Sequence, residues 1–253
     1  MRGRGLLAAL GVCAGLLGLV ACGRKGETPA KSLAEKAEPL RRALQTQPAS
    51  AQLSFELGRL FLAHDVADSA RVYLERATAL DSSMAEAHFE LGQLDYRERR
   101  LEESVAAYRR AIAHRADFAR AYNNLGFVYK ELHQDGKAEA AYQVAIALER
   151  GFYEAHNNLG QLYREQGKAD QARTLLVKAI QLNPDFGEAY VNLAGLEKDQ
   201  KRPARERAAL TGYLQHFGND ARYSAHARQR LEELKGAEDS AAVTGNTVAE
   251  RPR

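Results

Sequence analysis

The sequence predicts an all-α protein, a solenoid of about five stacked helical hairpins. A Leu-Gly pair recurs every 34 residues without an insertion between copies. A fixed period of this size is typical of stacked repeat proteins, whose neighbouring units bury a shared core. The pairs end at Gly58, Gly92, Gly126 and Gly160, and Ala194 takes the next place.

Each unit contains two sets of residues at helical spacing. Counted from its first residue, positions 4, 7, 8 and 11 share one helical face, and positions 20, 24 and 27 share a face of a second helix. A short break lies between the two sets, with Gly167 in the fourth unit and Asp135-Gly136 in the third. Each unit is therefore predicted to be an antiparallel helical hairpin. The five units span residues 51–84, 85–118, 119–152, 153–186 and 187–218.

Further segments flank the array. Apolar residues in the same frame predict a leading half-repeat helix within residues 31–48. Residues 219–235 are predicted to form a capping helix, with Asn219 or Asp220 as its N-cap. The tail, residues 236–253, has no periodicity and is predicted to be disordered.

The pattern resembles the tetratricopeptide repeat. The segments AYNNLGFVYKEL and EAHNNLGQLYREQGKADQA, which start at Ala121 and Glu154, match it closely. The resemblance covers residues 51 to about 217 and implies a right-handed α-solenoid. The chain departs from the pattern at Asp95 and Glu197, where an aromatic residue is expected, and at Ala194, where glycine is expected. Terminal repeats are often atypical because they cap the stack, so the degenerate fifth unit fits a terminal place.

The resemblance also implies a partner-binding groove lined by the first helix of each unit. Amides there can pair with a peptide backbone, cations with carboxylates, and phenylalanines can serve as buried anchors. Two simpler interpretations stay open: asparagines at position 6 support packing only, and the leading helix covers Phe55. The predicted groove residues are Phe55, Phe89, Gln93, Tyr96, Asn123, Phe127, Lys130, Asn157, Gln161 and Arg164.

The N-terminal residues follow the plan of a signal peptide. Arg2 and Arg4 precede an apolar stretch that is short for a membrane-spanning helix, which needs about 20 residues. The LVAC segment ending at Cys22 resembles the lipobox of bacterial lipoproteins. The resemblance implies that residues 1–21 are removed and that Cys22 carries lipid. An uncleaved anchor and a soluble secreted protein are the alternatives.

Residues 22–30 are predicted to be a lipidated tether. The eight residues after Cys22 reach at most about 28 Å when extended, which keeps the repeats near the membrane. Gly23, rather than aspartate, follows the cysteine. In the Gram-negative lipoproteins that the segment resembles, this favours the outer membrane, and we expect the repeats to face the periplasm of the cell envelope.

Composition and motifs exclude several classes of function. The net charge of +3 includes Arg2 and Arg4, so positive and negative charges in the remaining chain are almost equal in number. This charge balance does not favour binding to nucleic acid. An arginine-rich stretch over residues 97–115 is interleaved with glutamates and is interpreted as a solvated face, with an acidic partner or lipid headgroups as the alternative. The histidines lack ligand spacing, and no phosphate loop or GxSxG frame occurs. We therefore expect no metal, no cofactor and no catalysis.

Three functional hypotheses follow. The first is a lipid-anchored adaptor that binds envelope proteins or peptide segments in the groove. The second is a pilotin-like assembly factor for an outer-membrane secretin. The third, from another class, is a peptidoglycan- or peptide-binding or hydrolytic envelope protein. The sequence leaves the partner's identity and the oligomeric state open.

Overall fold

The computed structural model describes residues 32–218 and 223–248, with side chains up to residue 237. Within these ranges the chain forms twelve α-helices and no strand, which confirms the predicted all-α solenoid. In chain order the helices are α1 Leu33–Thr46, α2 Ala51–Ala63, α3 Ala67–Leu80, α4 Ala85–Arg97, α5 Leu101–His114, α6 Ala119–Glu131, α7 Asp135–Leu148, α8 Tyr153–Glu165, α9 Ala169–Leu182, α10 Gly187–Asp199, α11 Pro203–Phe217 and α12 Ser224–Val248.

Each hairpin turns at position 15 of its unit, where the backbone is left-handed. In the fourth unit this residue is Gly167, with φ +74°, and in the third it is His133, with φ 56°. The amide of the next residue closes the turn onto the carbonyl of position 11, as in the bond from Gln134 N to Tyr129 O of 2.8 Å. Asp135 and Gly136, which the sequence placed in the break, instead begin α7.

The repeated glycines bring the two helices of each hairpin into close contact. A Cβ added to Gly126 would lie 2.8 Å from the ring of Tyr142, and one added to Gly160 would lie 2.9 Å from Leu176. Glycine at position 8 thus lets the large side chain at position 24 reach the backbone of the first helix. In this way the 34-residue period of the sequence becomes a period of packing.

A second repeated contact joins neighbouring units, between position 21 of one unit and position 11 of the next. It explains the two acidic departures from the repeat pattern, because each acid faces an arginine. Arg71 donates to Asp95 over 2.9 Å, and Arg173 donates to Glu197. Burial raises the pKa of Asp95, and the Arg71 charge opposes that rise.

The same two positions hold other pairings at the remaining junctions. Tyr163 donates its hydroxyl to Glu139 over 2.9 Å, and Val105 and Tyr129 pack on the same apolar cluster. Each partner is therefore matched to its neighbour in polarity. The two matched positions are 24 residues apart and belong to different units. A comparison of each single unit with the repeat pattern therefore does not reveal the match.

The first helices of the units lie on the inner side of the curved stack. Consecutive first helices contact one another along the series α4, α6, α8 and α10. Within the described residues, no two consecutive second helices make comparable contacts. The first helices therefore form the concave face, and the second helices form the convex face.

The helices α1 and α12 cover the two ends of the stack, and α12 has other bounds than the predicted capping helix. At the start, α1 opens with a capping box between Ser32 and Glu35 and packs on α2. At the end, α12 packs on α11, and the Ser224 hydroxyl donates to Phe217 O over 2.7 Å. The predicted N-caps, Asn219 and Asp220, lie outside the described residues.

The predicted disordered tail is wrong as far as Val248. The helix α12 continues through Gly236 instead of ending at Lys235. The segment that follows contains glutamate and several alanines, which are strong helix formers, and each of the two glycines, Gly236 and Gly245, costs only about 1 kcal/mol relative to alanine. Residues 249–253 lie outside the described range.

Candidate functional site: the concave face

A cavity of about 250 Å³ opens on the concave face between α4 and α6, and we call it the concave slot. Tyr96 and Phe127 meet edge to face across it, with ring centroids 5.4 Å apart. The slot therefore has aromatic walls with amide and guanidinium groups beside them. Its lining residues are Gln93, Tyr96, Arg97, Tyr108, Asn123, Asn124, Phe127 and Val128.

Four of the ten predicted groove residues line this slot: Gln93, Tyr96, Asn123 and Phe127. The sequence interpretation left out Arg97 and Tyr108, and it left open whether Asn124 only supports packing. Arg97 occupies position 13, which is one of the first-helix positions that line the groove according to the family resemblance. Tyr108 reaches the slot from the second helix of its unit, and the pattern of the first helices alone cannot reveal it.

Phe55 and Phe89 are core residues and do not line the groove, which corrects the sequence interpretation. They are 8% and 6% exposed. Phe89 packs against Phe118 and Tyr108, with centroid distances of 4.8 and 5.6 Å. Both rings belong to apolar clusters in the interior of the stack. The aromatic part of the groove is therefore Tyr96 and Phe127.

A ladder of amides runs along the floor of the concave face. Asn158 donates to Asn123 over 2.9 Å, and Asn192 donates to Asn157 over 2.9 Å. Asn157 is fully buried, so its predicted contact with a ligand is wrong. At the slot the ladder stops, because position 5 of the second unit is a phenylalanine. Both hydrogen bonds of the Asn124 amide are long there: it donates to the Tyr108 hydroxyl over 3.4 Å and accepts from Asn123 over 3.3 Å.

Two of the predicted cations are already paired within the chain. Lys130 donates to Glu165 and Arg164 to Asp199, each over 2.7 Å. Position 12 of one unit thus pairs with an acid at position 13 of the next. Gln161 donates to Glu165 over 3.3 Å and lies beside this row. These charges are balanced by the protein itself, contrary to the predicted role of Lys130 and Arg164 toward a ligand.

Arg97 breaks this row of ion pairs. It occupies position 13, where the next three units hold acids, and position 12 of the unit before it is Leu62. Arg97 is exposed and makes no ion pair within the described ranges. Nearby, burial raises the pKa of Glu90, and the positive charges of Arg59, Arg120 and Arg97 oppose that rise. The slot therefore carries a free guanidinium at its rim.

Other kinds of site receive no support from the described part of the chain. It holds no group of three histidine, cysteine or acidic residues placed to bind a metal ion. None of its helices combines the length and hydrophobicity that a membrane-spanning segment needs. Cys22, the predicted lipid attachment site, lies outside the described ranges.

Family comparisons agree with this architecture. Tetratricopeptide-repeat profiles match residues 119–152 and 153–186, and a TPR-repeat profile matches residues 92–133. The chain contains tetratricopeptide repeats. This fold generally serves as a non-catalytic scaffold for protein interactions. No curated protein matches the chain in sequence.

Solved tetratricopeptide-repeat structures share the fold. MamA is 26% identical with a TM-score of 0.56, over 60% of this chain and 89% of that one. YrrB, described as having an unusual peptide-binding site, is 20% identical with a TM-score of 0.60, over 76% and 99%. PilF of Pseudomonas aeruginosa is 24% identical with a TM-score of 0.64, over 84% and 92%. At such low identity, YrrB and PilF show the fold alone.

Proposed function

We propose that the chain is a lipid-anchored scaffold of the bacterial cell envelope that binds a peptide segment of a partner protein. The concave slot is the observation that carries this proposal. It combines two aromatic walls, the Asn124 amide, whose internal hydrogen bonds are both long, and the unpaired guanidinium of Arg97. Binding without turnover fits a fold that serves as an interaction scaffold.

The size of the slot suggests what part of a partner it takes. Its volume of about 250 Å³ is below the ~300–1,000 Å³ of sites for drug-sized ligands. It suits one apolar or aromatic side chain held between Tyr96 and Phe127. Asn124 and Gln93 can then bond the peptide backbone on either side, and Arg97 can pair with a neighbouring carboxylate.

A positional-scanning library of short acetylated peptides tests this proposal. We expect the chain to select a phenylalanine, tyrosine or leucine next to an aspartate or glutamate. Phe127→Ala and Arg97→Gln should each lower the affinity for the selected peptide at least tenfold. The effect of Arg97→Gln should disappear when the aspartate or glutamate of the peptide is replaced. Lys130→Gln is the matched control, since that cation is already paired with Glu165. Equal weakening by Arg97→Gln and Lys130→Gln contradicts the assignment of the slot.

The lipid anchor is a separate part of the proposal and rests on the lipobox-like segment before Cys22. In a Gram-negative host, Cys22→Ser should abolish metabolic labelling by palmitate and release the chain from the outer-membrane fraction. Unchanged labelling and fractionation would contradict the lipid anchor, but they would not affect the peptide-binding proposal.

A pilotin-like assembly factor for an outer-membrane secretin is the second proposal. It rests on the layout of signal, lipidated cysteine and repeat array predicted from the sequence. PilW, described as a type IV pilus biogenesis factor, shares the fold at 17% identity with a TM-score of 0.61, over 75% of this chain and 92% of that one. Cys22→Ser should leave secretin subunits unassembled or in the inner membrane, and normal secretin multimers in that variant rule this proposal out.

A further inference from the structure

A second groove lies on the convex face between α9 and α11, with α10 as its floor. We call it the convex groove, and it encloses about 480 Å³. Most of its surface is apolar and comes from Val177, Ile180, Leu193, Ala208 and Ala209. Val177, Ile180 and Leu193 are only partly buried. Its other lining residues are Arg173, Gln181, Tyr190, Glu197 and Arg205.

The apolar character of this groove depends on the sequence as well as on the fold, because it varies from junction to junction. The cavity at the same place between the first two units is lined instead by charged side chains. At position 25, Val177 stands where that cavity has Glu75, and at position 19 of the following unit, Arg205 stands where it has Glu103. The cavity between the second and third units is largely apolar too, with Arg109 and Lys137 at its edges. The fold therefore provides a groove at these three junctions, and the sequence sets how apolar each groove is.

The charges around the convex groove are unbalanced toward positive. The helices α9 and α11 contain one carboxylate each. Asp170 pairs with Arg173 over 2.6 Å, and Glu206 pairs with Arg230 over 2.7 Å. The exposed cations Lys178, on α9, and Arg205, on α11, make no ion pair in the described part of the chain. Of these two, Arg205 lines the convex groove, whereas Lys178 lines the neighbouring cavity beside His156. The groove thus offers the free positive charge of Arg205 to a bound partner.

We propose that the convex groove binds a short amphipathic helix of a partner protein, with an apolar face flanked by acidic residues. Charge complementarity with Arg205 gives the sign of the flanking residues. The geometry gives the helix: the lining residues on α9 follow the spacing i, i+4, i+7 and i+8, which spans about 12 Å, or two turns. Apolar residues at i, i+3, i+4 and i+7 of a partner helix match this length.

This site is independent of the concave slot, because it lies on second helices of the fourth and fifth units. One chain can therefore hold two partner segments at once, one on each face. Phe127→Ala tests binding of the peptide selected for the concave slot and should not affect binding in the convex groove. Failure of one proposal can therefore be distinguished from failure of the other.

Two synthetic 15-residue helical peptides test the convex groove. Both carry leucines at i, i+3, i+4 and i+7; one has flanking glutamates and its twin has lysines. Fluorescence anisotropy with the full chain should show the glutamate peptide binding at least tenfold more tightly. Ala208→Glu should weaken this binding at least tenfold, because Ala208 lines the groove and is exposed. Equal binding of the twin peptides overturns the proposal.

Ala140→Glu is the matched control, since Ala140 occupies the same exposed position of the third unit. It should leave binding unchanged, and circular dichroism should show both variants folded. Binding that survives Ala208→Glu overturns the site. Self-association in sedimentation equilibrium that Ala208→Glu abolishes assigns the groove to a second copy. If the parent chain binds phosphatidylglycerol vesicles but neither peptide, and Ala208→Glu abolishes the vesicle binding, the groove binds lipid. Self-association or lipid binding of this kind overturns the proposal.

Discussion

Arg173 donates from Nε and Nη2 to both carboxylate oxygens of Glu197, across the junction between the fourth and fifth units. Only 2% of the Glu197 side chain and 18% of the Arg173 side chain are exposed. Hydrogen bonding to Glu197 raises the pKa of Arg173, which keeps it charged. The pair replaces the aromatic residue that the repeat pattern expects.

Removing one partner of this pair should be costly. Arg173→Met leaves the buried Glu197 carboxylate without its cation, and breaking such a pair costs about 3–5 kcal/mol. Urea unfolding followed by circular dichroism measures the loss. Arg42→Met is the control, because Arg42 and Glu38 are well exposed and their pairing contributes little.

A double substitution separates the need for complementarity from the need for charge. Arg173→Val with Glu197→Tyr recreates the polarity of the Val105 and Tyr129 junction. We expect the double variant to recover most of the stability lost in Arg173→Met, because apolar replacement of a buried ion pair is often neutral or stabilising. A double variant as unstable as the single one contradicts the pairing rule.

Gly126, at position 8 of the third unit, should tolerate no side chain. In Gly126→Ala the new Cβ meets the Tyr142 ring at 2.8 Å, and overpacking of this kind costs about 1–3 kcal/mol. Gly136→Ala is the matched control, since nothing lies within 4 Å of a Cβ there and alanine favours the helix. Differential unfolding midpoints of the two variants check the prediction, and equal midpoints contradict the packing described.

Position 15 should prefer glycine, because the left-handed backbone costs other residues about 1–2 kcal/mol. His133 and Gly167 allow a reciprocal test, with φ of 56° and 74°. His133→Gly should raise the free energy of unfolding by about 1 kcal/mol, and Gly167→Ala should lower it by a similar amount. Denaturant titrations of both variants measure the two changes, and shifts of the same sign refute the assignment.

Stability should fall in mild acid because of His88. Burial lowers the pKa of His88, while its bond to Ser82 O of 3.0 Å opposes that shift. His114 and Arg110 also disfavour the proton, and Asp81 favours it. The unfolded chain takes up a proton below pH ~6.5, before the folded protein does, so unfolding becomes easier as the pH falls through this range.

His88→Tyr should reduce this pH dependence. Tyrosine occupies the same position in the third and fifth units, as Tyr122 and Tyr190, so the site accepts the ring. The informative quantity is the change in unfolding free energy between pH 7.5 and 5.5, measured for both proteins. An identical change in the parent chain and in His88→Tyr excludes His88 as its source.

The sequence predicted the fold well because the repeat encodes local contacts. Glycine at position 8 and a large residue at position 24 lie within one hairpin, and the 34-residue period makes them visible. The candidate site was predicted less well because its residues depend on contacts between positions far apart in the sequence. Lys130 looks like a free cation until Glu165 of the next unit is placed beside it. Phe89 looks like an anchor until Phe118, at the end of its own unit, packs against its ring.

The pairing of position 21 with position 11 has a consequence for the history of the array. Loss of the fourth unit, residues 153–186, through recombination between repeats would place Glu139 against Glu197, two acids at a buried contact. Loss of the second unit would place Arg71 against Tyr129 and leave its charge without an acid. The hairpins share one shape, yet each accepts only certain neighbours. The array therefore behaves as an ordered series of distinct modules, and its copy number cannot change freely by duplication or deletion.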